Sequence, residues 1–340
     1  MNRTVVYIGK RLILSIISLI GIILLTFFLS HVVPSNPAIL WVGSRATPQE
    51  ITKAREQLHL NDPVYIQFYY YINDFFHGNL GISIRTHTPV LSSILAALPN
   101  TLTLITLSLL VAMLIGIPLG VLSAVKQYKT IDYVSRLLAI AGVALPTFWL
   151  GMVFQIVFST DLNILPIAGY ISNGIAAQYP VTTVTGSILI DALISGNFVA
   201  FLNVAQHMIL PVLTLASYPI GLVIRQTRGA MLEVLGEDYI RTSRAFGIKD
   251  LTIHFRYALK NAINPVMVLL ALSFAYSLIG AFYVEDVFAL PGLGTYATLS
   301  ILSLDYPAIV GVVIVIAIFY LAVNLLVDIL QYVNDKRIVL

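Results

Sequence analysis

GEDYIRTSRAFGIKDLTIHFRYALKNAINP, Gly236 to Pro265, is the stretch on which the reading of this chain turns. It is densely charged, and long apolar runs flank it on both sides. Seven of the 19 Lys and Arg residues fall between Arg225 and Lys260. Charge is costly inside hydrocarbon. A segment this rich in Arg, set between two membrane spans, therefore has to sit in water or against another protein.

The rest of the composition agrees. Only 10% of the 340 residues are charged and 58% are hydrophobic, with a mean hydropathy of +0.90, whereas soluble domains carry about 25% charged residues. An ordinary soluble globular protein is excluded. Runs of about 20 apolar residues cross a bilayer, and backbone groups in lipid have to be satisfied within the segment, which makes those runs helices. The fold class expected is all-α and polytopic. A formal charge of +3 is too small to suggest nucleic acid, and the absence of Cys removes disulfides and thiolate metal sites.

Six spans are expected. The first is Leu12 to Val33, preceded by Arg3, Lys10 and Arg11 and stopped by Pro34 and Pro37; it is too long for the apolar region of a signal peptide. A polar region, 34–100, follows. It holds helix-like material from Thr47 to His59 and an aromatic block from Tyr65 to Phe76, which suits either a membrane–water interface or packing within a small cap. Thr101–Ala124 and Leu137–Ser159 are the second and third spans, and Asp161–Ala205 reads as a loop with a possible short interfacial or re-entrant helix. Met208–Val223, Val266–Val284 and Ala308–Leu330 complete the set, with ALPGLGTYATLSILSLDYP as the last loop. Placing both termini in the cytoplasm puts fifteen of the 19 basic residues inside, and the other four lie in the long first loop, where the positive-inside rule carries little weight.

Catalysis finds no support. There is no HExxH, no GxSxG and no phosphate-cradling Gly-rich loop ending in Lys–Ser/Thr. Glu285 and Asp286 close the fifth span, and Asn324 and Asp328 stand four apart near the end of the sixth. Asp328 reads as a packing or interface residue more readily than as a proton carrier, which would need carboxylates near the midplane. A self-contained carrier or channel is the competing class, and an intramembrane enzyme a further alternative without a visible dyad.

The charged stretch has its own local logic. Glu237 and Asp238 suit the first turn of a helix, where negative charge complements the dipole. Gly247 suits the left-handed residue that ends one. Asp250 can then open a second helix, Leu251 to Ala262, before Pro265. Arg241 and Arg244, three apart, share a face. That face suits docking to a protein, or an amphipathic helix resting on anionic lipid.

In the general pattern of ABC-importer membrane subunits, Glu-Ala-Ala, three residues, Gly, nine residues and Ile-x-Leu-Pro, this chain supplies Arg241-Thr242-Ser243, Gly247 and Leu259, with Tyr257 and Lys260 in place of the Ile and Pro. The branch-specific likeness is closer. EDYIRTSRAFG, LNDPVYIQFYYY, GNLGISI, LPNTLTL, ILPVLTLASYPIGLVIRQTRGAMLEVL, VEDVFALPGLG, LDYP and NLLVDILQYVNDKRI all resemble, in order, stretches of the oligopeptide/dipeptide permease family (OppB/DppB type). The resemblance covers nearly the whole chain. It implies a type I importer fold in which 1–340 forms a single transmembrane domain, 34–100 an extracytoplasmic loop region and 225–265 a cytoplasmic coupling loop. It also implies a second homologous permease subunit, two ATP-binding subunits carrying ATP and Mg, and an extracytoplasmic solute-binding protein, with no cofactor on this chain. Members move di- and oligopeptides, oligosaccharides or nickel. Carried over by position, Glu237, Asp238, Arg241, Arg244, Ala245 and Gly247 would form the coupling helix that enters a cleft on an ATP-binding subunit.

Overall fold

The computed structural model describes residues 3–32, 37–43, 46–57 and 59–334. Among them the secondary structure is helical, with a single isolated bridge between Ile82 and Pro89. In chain order the helices are α1 (Arg3–Val32), α2 (Pro37–Val42), α3 (Pro48–Gln57), α4 (Val64–Phe76), α5 (Val90–Val125), α6 (Thr130–Ala144) and α7 (Thr147–Asp161). There follow α8 (Asn173–Gln178), α9 (Ile188–Ile194), α10 (Phe198–Leu235), α11 (Asp238–Ala245), α12 (Asp250–Val287), α13 (Leu293–Leu302) and α14 (Tyr306–Asn334). Five of these contain a run long and apolar enough to cross a membrane, and there are six if the bent pair α6–α7 is counted as one broken span rather than a re-entrant loop.

Several expected boundaries move. The second span begins at Val90 rather than Thr101, with Pro99 and Pro118 inside the helix. The fourth runs from Phe198 to Leu235 and absorbs Pro211 and Pro219, so the first part of 225–265 is helix rather than loop. Helix α12 starts at Asp250 and passes through Pro265, joining the expected second loop helix to the fifth span. In a membrane helix neighbouring groups and local adjustments re-satisfy the carbonyl that a proline orphans. The third span departs the other way. Leu145 and Pro146 are both extended, and the helix axis turns by 109° between α6 and α7; the residue before a proline is sterically pushed out of the helical region. The last loop contains α13, and the stop expected at Pro34 lies outside the described residues, while Pro37 opens α2, a first-turn position where its missing N–H is no loss.

The chain divides into two compact units, one of residues 1–98 with 296–321 and one of 99–295 with 322–340. In the first, α4 offers Phe68, Tyr71, Ile72 and Phe75, spaced to share one helical stripe, to a core of Ile23, Val310 and Ile314. Phe27 stacks obliquely with Phe68 and Tyr71 at 5.1 and 5.7 Å, and burial pushes the Tyr71 phenol pKa up. Tyr65, Tyr69 and Phe76 remain exposed, so the aromatic block serves packing on one face only. Helix α3 opens with a capping box: Thr47 N donates to Glu50 Oε2 at 2.7 Å, and Glu50 N returns to Thr47 Oγ1 at 3.4 Å. That pairing holds the Glu50 carboxyl below its ordinary pKa. The GISIRTHTP turn is tied down by buried Asp305, which accepts from Ser83 Oγ, Ile84 N and Arg85 N.

The second unit is built around α10, which packs against α6, α7, α9 and α12. Glycines let α6 approach it. A Cβ on Gly142 would run into the Ser217 carbonyl oxygen, and one on Gly221 into that of Ala139. Gly116 and Gly120 of α5 likewise face Val223 and Thr227.

Overpacking a tight core usually costs about 1–3 kcal/mol. Gly142→Val is therefore expected to lower the thermal midpoint of the detergent-solubilised protein clearly, whereas Gly174→Ala, with nothing within 4 Å of its Cβ, leaves it unchanged. Equal midpoints would mean that α6 and α10 are not in contact.

Candidate functional site

The site lies in the second unit, between the end of α10 and the start of α12. Gly236 closes α10, and Glu237, in extended geometry (φ −68°, ψ 149°), stands at the N-cap position of α11 without a side-chain capping bond. Asp238 occupies the first turn. At the other end Gly247 N donates to Arg244 O at 2.9 Å and Ile248 N to Ser243 O at 3.2 Å. These two bonds are the Schellman motif, and Gly247 supplies its left-handed residue with φ +73°. A Cβ there would meet nothing within 4 Å, so glycine is required by conformation rather than by space.

Helix α11 is held by a single buried side chain. Ile240 inserts into a core of Val121 and Ala124 from α5, Met231 from α10, and Ile253, Ala258 and Ala262 from α12. Asn261 Nδ2 donates to Tyr239 Oη at 2.7 Å and adds a polar tie to α12. Near its start α12 is π-helical from Ile253 to Ala258, a local widening often found at functional sites. Everything else expected of the site points outward: Glu237, Asp238, Arg241, Arg244, Ala245 and Gly247 are all exposed. Arg241 reaches Asp238 at 3.5 Å across one turn, an exposed pair of little energetic weight.

Two exposed apolar side chains accompany them. Phe246 is 81% exposed and Leu251 is 73% exposed, flanking the Gly247 corner. Neither these nor Ile240 stood out in the sequence. Ile240 could have been found as the strongly apolar aliphatic position in an otherwise polar eight-residue helix; Phe246 offered no signal, because burial of a single Phe in a loop is decided by its neighbours.

Among the described residues four carboxylates are buried: Asp132, Asp191, Glu285 and Asp305. Each is supplied with donors, as a buried carboxylate must be. Glu285 accepts from Thr101 Oγ1 at 2.6 Å and from the backbone N–H of Gly294 at 2.6 Å, at the start of α13. Asp191 accepts from Thr185 N and Oγ1, both at 2.7 Å. These groups knit helices and turns together. No cluster of His, Asp or Glu able to hold a metal occurs among the described residues.

Residues 116–340 match the family described as binding-protein-dependent transport system inner membrane component, and residues 4–105 match the N-terminal part of such membrane components. The chain is 46% identical to the probable D,D-dipeptide transport system permease protein DdpB of Escherichia coli K12, over 94% of this chain and 93% of that one. It is 37% identical to the dipeptide transport system permease protein DppB of Alkalihalophilus pseudofirmus and 35% identical to the oligopeptide transport system permease protein AppB of Bacillus subtilis, in both cases over 98% of each chain. A multi-pass helical chain that matches over nearly its whole length in this way belongs to the family of inner membrane components of binding-protein-dependent transport systems.

Proposed function

We propose that this chain is one of two homologous membrane subunits of an ATP-driven importer, and that it passes di- or oligopeptides delivered by an extracytoplasmic binding protein. ATP is hydrolysed on two separate subunits, and the spans alternate between outward and inward access. The observation that carries the reading is α11: a short helix with two exposed arginines, fixed to the membrane helices through Ile240 and ended by a rigid Gly corner bearing Phe246. A lever needs such a build, a stiff contact surface outside and a packed anchor inside.

In this proposal the stretch faces the cytoplasm together with both termini, in keeping with the bias of basic residues. Residues 34–100 face the other side, where they meet the binding protein or gate the outer mouth. Arg241 and Arg244 meet acidic groups of the ATP-binding subunit, and Phe246 enters an apolar pocket, as an aromatic anchor at the centre of an interface does. Glu237, Asp238, Ala245 and Gly247 set the start, the clearance and the end of the helix. Peptide is preferred to nickel or oligosaccharide because the three relatives above are all named for peptide transport.

Gentle solubilisation from the native membrane is expected to recover this chain with a second permease, two ATP-binding proteins and a receptor; recovery alone, with transport in vesicles free of ATP, would overturn the reading in favour of a carrier. A left-handed conformation costs a residue with a Cβ about 1–2 kcal/mol, and β-branched residues more. Gly247→Val is thus expected to abolish uptake with normal membrane insertion, while Gly247→Asn retains most of it, because Asn tolerates this geometry. Reversing charge at both Arg241 and Arg244 is expected to separate ATP hydrolysis from solute uptake, and unchanged coupling would indicate that α11 rests on lipid instead.

A further inference from the structure

Close to the core that anchors α11 lies an ion pair between a buried carboxylate and a partly buried arginine, which the exposed surface does not use. Asp132, near the start of α6, is fully buried. Its Oδ1 accepts from Arg228 Nε at 2.8 Å and from Ser123 Oγ at 2.6 Å, and its Oδ2 from Arg228 Nη2 at 3.1 Å and from Tyr128 N at 3.0 Å. Four donors thus converge on one carboxylate. They come from two helices and a turn, Ser123 on α5, Arg228 on α10 and Tyr128 between α5 and α6, and they meet Asp132 on a third helix, α6. The two-pronged guanidinium contact fixes orientation as well as distance, which lysine cannot do.

The location links this pair to α11. Val121 and Ala124 bracket Ser123 on α5, and Met231 lies one turn beyond Arg228 on α10. These three side chains form part of the core that receives Ile240. A push on α11 is therefore delivered to the two helices that hold Asp132 from either side. Asp132 belongs to α6, which runs on to the sharp break at Leu145 and Pro146. Ser135, one turn along α6, and Thr227, next to Arg228 in sequence, hold buried hydroxyls without a partner among the described residues.

From this geometry we infer that the Asp132–Arg228 pair is the joint through which movement of α11 is handed to α6 and the bent span beyond it. Both are positioning residues and neither touches solute. The inference rests on the reading of α11 as the contact with an ATP-binding subunit. A static brace would look similar in a single conformation, but it differs in consequence: losing a brace reduces the amount of working complex, whereas losing a joint changes how much solute moves per ATP.

The test is a proteoliposome assay of the complete complex, with ATP hydrolysis and uptake of a labelled mixture of di- and tripeptides measured on the same preparation. Arg228→Lys keeps the charge and removes the fork; Asp132→Asn removes the charge and keeps the shape. For both, uptake per ATP is expected to fall on the order of tenfold, within the range of coupling between sites, with hydrolysis within about twofold of wild type. Combining Arg228→Lys with Ile240→Ala is expected to lower the ratio no further than the worse single change, since residues acting in one chain of contacts are non-additive. If Asp132→Asn does not assemble, Arg228→Lys decides alone. Uptake and hydrolysis falling in proportion, with an unchanged ratio, would overturn the joint while leaving the importer reading intact. A wild-type complex without ATP-dependent uptake would overturn that reading and the joint with it.

Discussion

Backbone-to-backbone contact between α6 and α10 is what the second unit depends on. In lipid there is no hydrophobic drive for one apolar helix to prefer another to the solvent around it, so association has to come from close packing and polar ties. Gly142 against the Ser217 carbonyl, and Gly221 against that of Ala139, allow that approach in both directions. Gly116 and Gly120 open the same possibility for α5. Helix α10 is consequently the most enclosed of the membrane-length helices, with about two thirds of its apolar window buried against 17% for α1.

On this scaffold the polar groups act as fasteners. Asp132, Asp191, Glu285 and Asp305 each gather donors from turns, helix starts or neighbouring helices. An unsatisfied carboxylate would be expensive in such surroundings, and a satisfied one fixes geometry because its donors have to arrive from set directions. Glu285 does this at the turn into α13, Asp305 at the turn into α14, and Asp132 where three helices meet. A chain with few charges thus spends several of them on joining elements.

The exposed helix α11 follows the opposite rule. Helix α11 has one buried residue, Ile240, and one conformationally demanding residue, Gly247. Its other residues are exposed or partly exposed. Its geometry is stiff because both ends are defined locally, by extended Glu237 before the first turn and by the Schellman bonds after the last.

The membrane class, the helical fold, the approximate spans and the charged stretch were legible from composition and run length alone, since hydrocarbon admits little besides helices. So were the acidic start of α11 and its Gly corner, because capping and left-handed φ depend on a few adjacent residues. The resemblance of the motif-bearing stretches pointed to the family that the full-length matches establish. What lay beyond reach depended on neighbours distant in the chain. Pro265 was read as a boundary, yet it lies within a helix, while Pro146 marks a bend of 109° within an expected continuous span. The same residue type gives opposite results: the residue before Pro146 is extended, whereas the chain before Pro265 stays helical. Asp132 drew no notice at all, as one acid just before an apolar run. Its role exists only because Arg228, 96 residues later, is brought beside it, and that is a fact of tertiary structure.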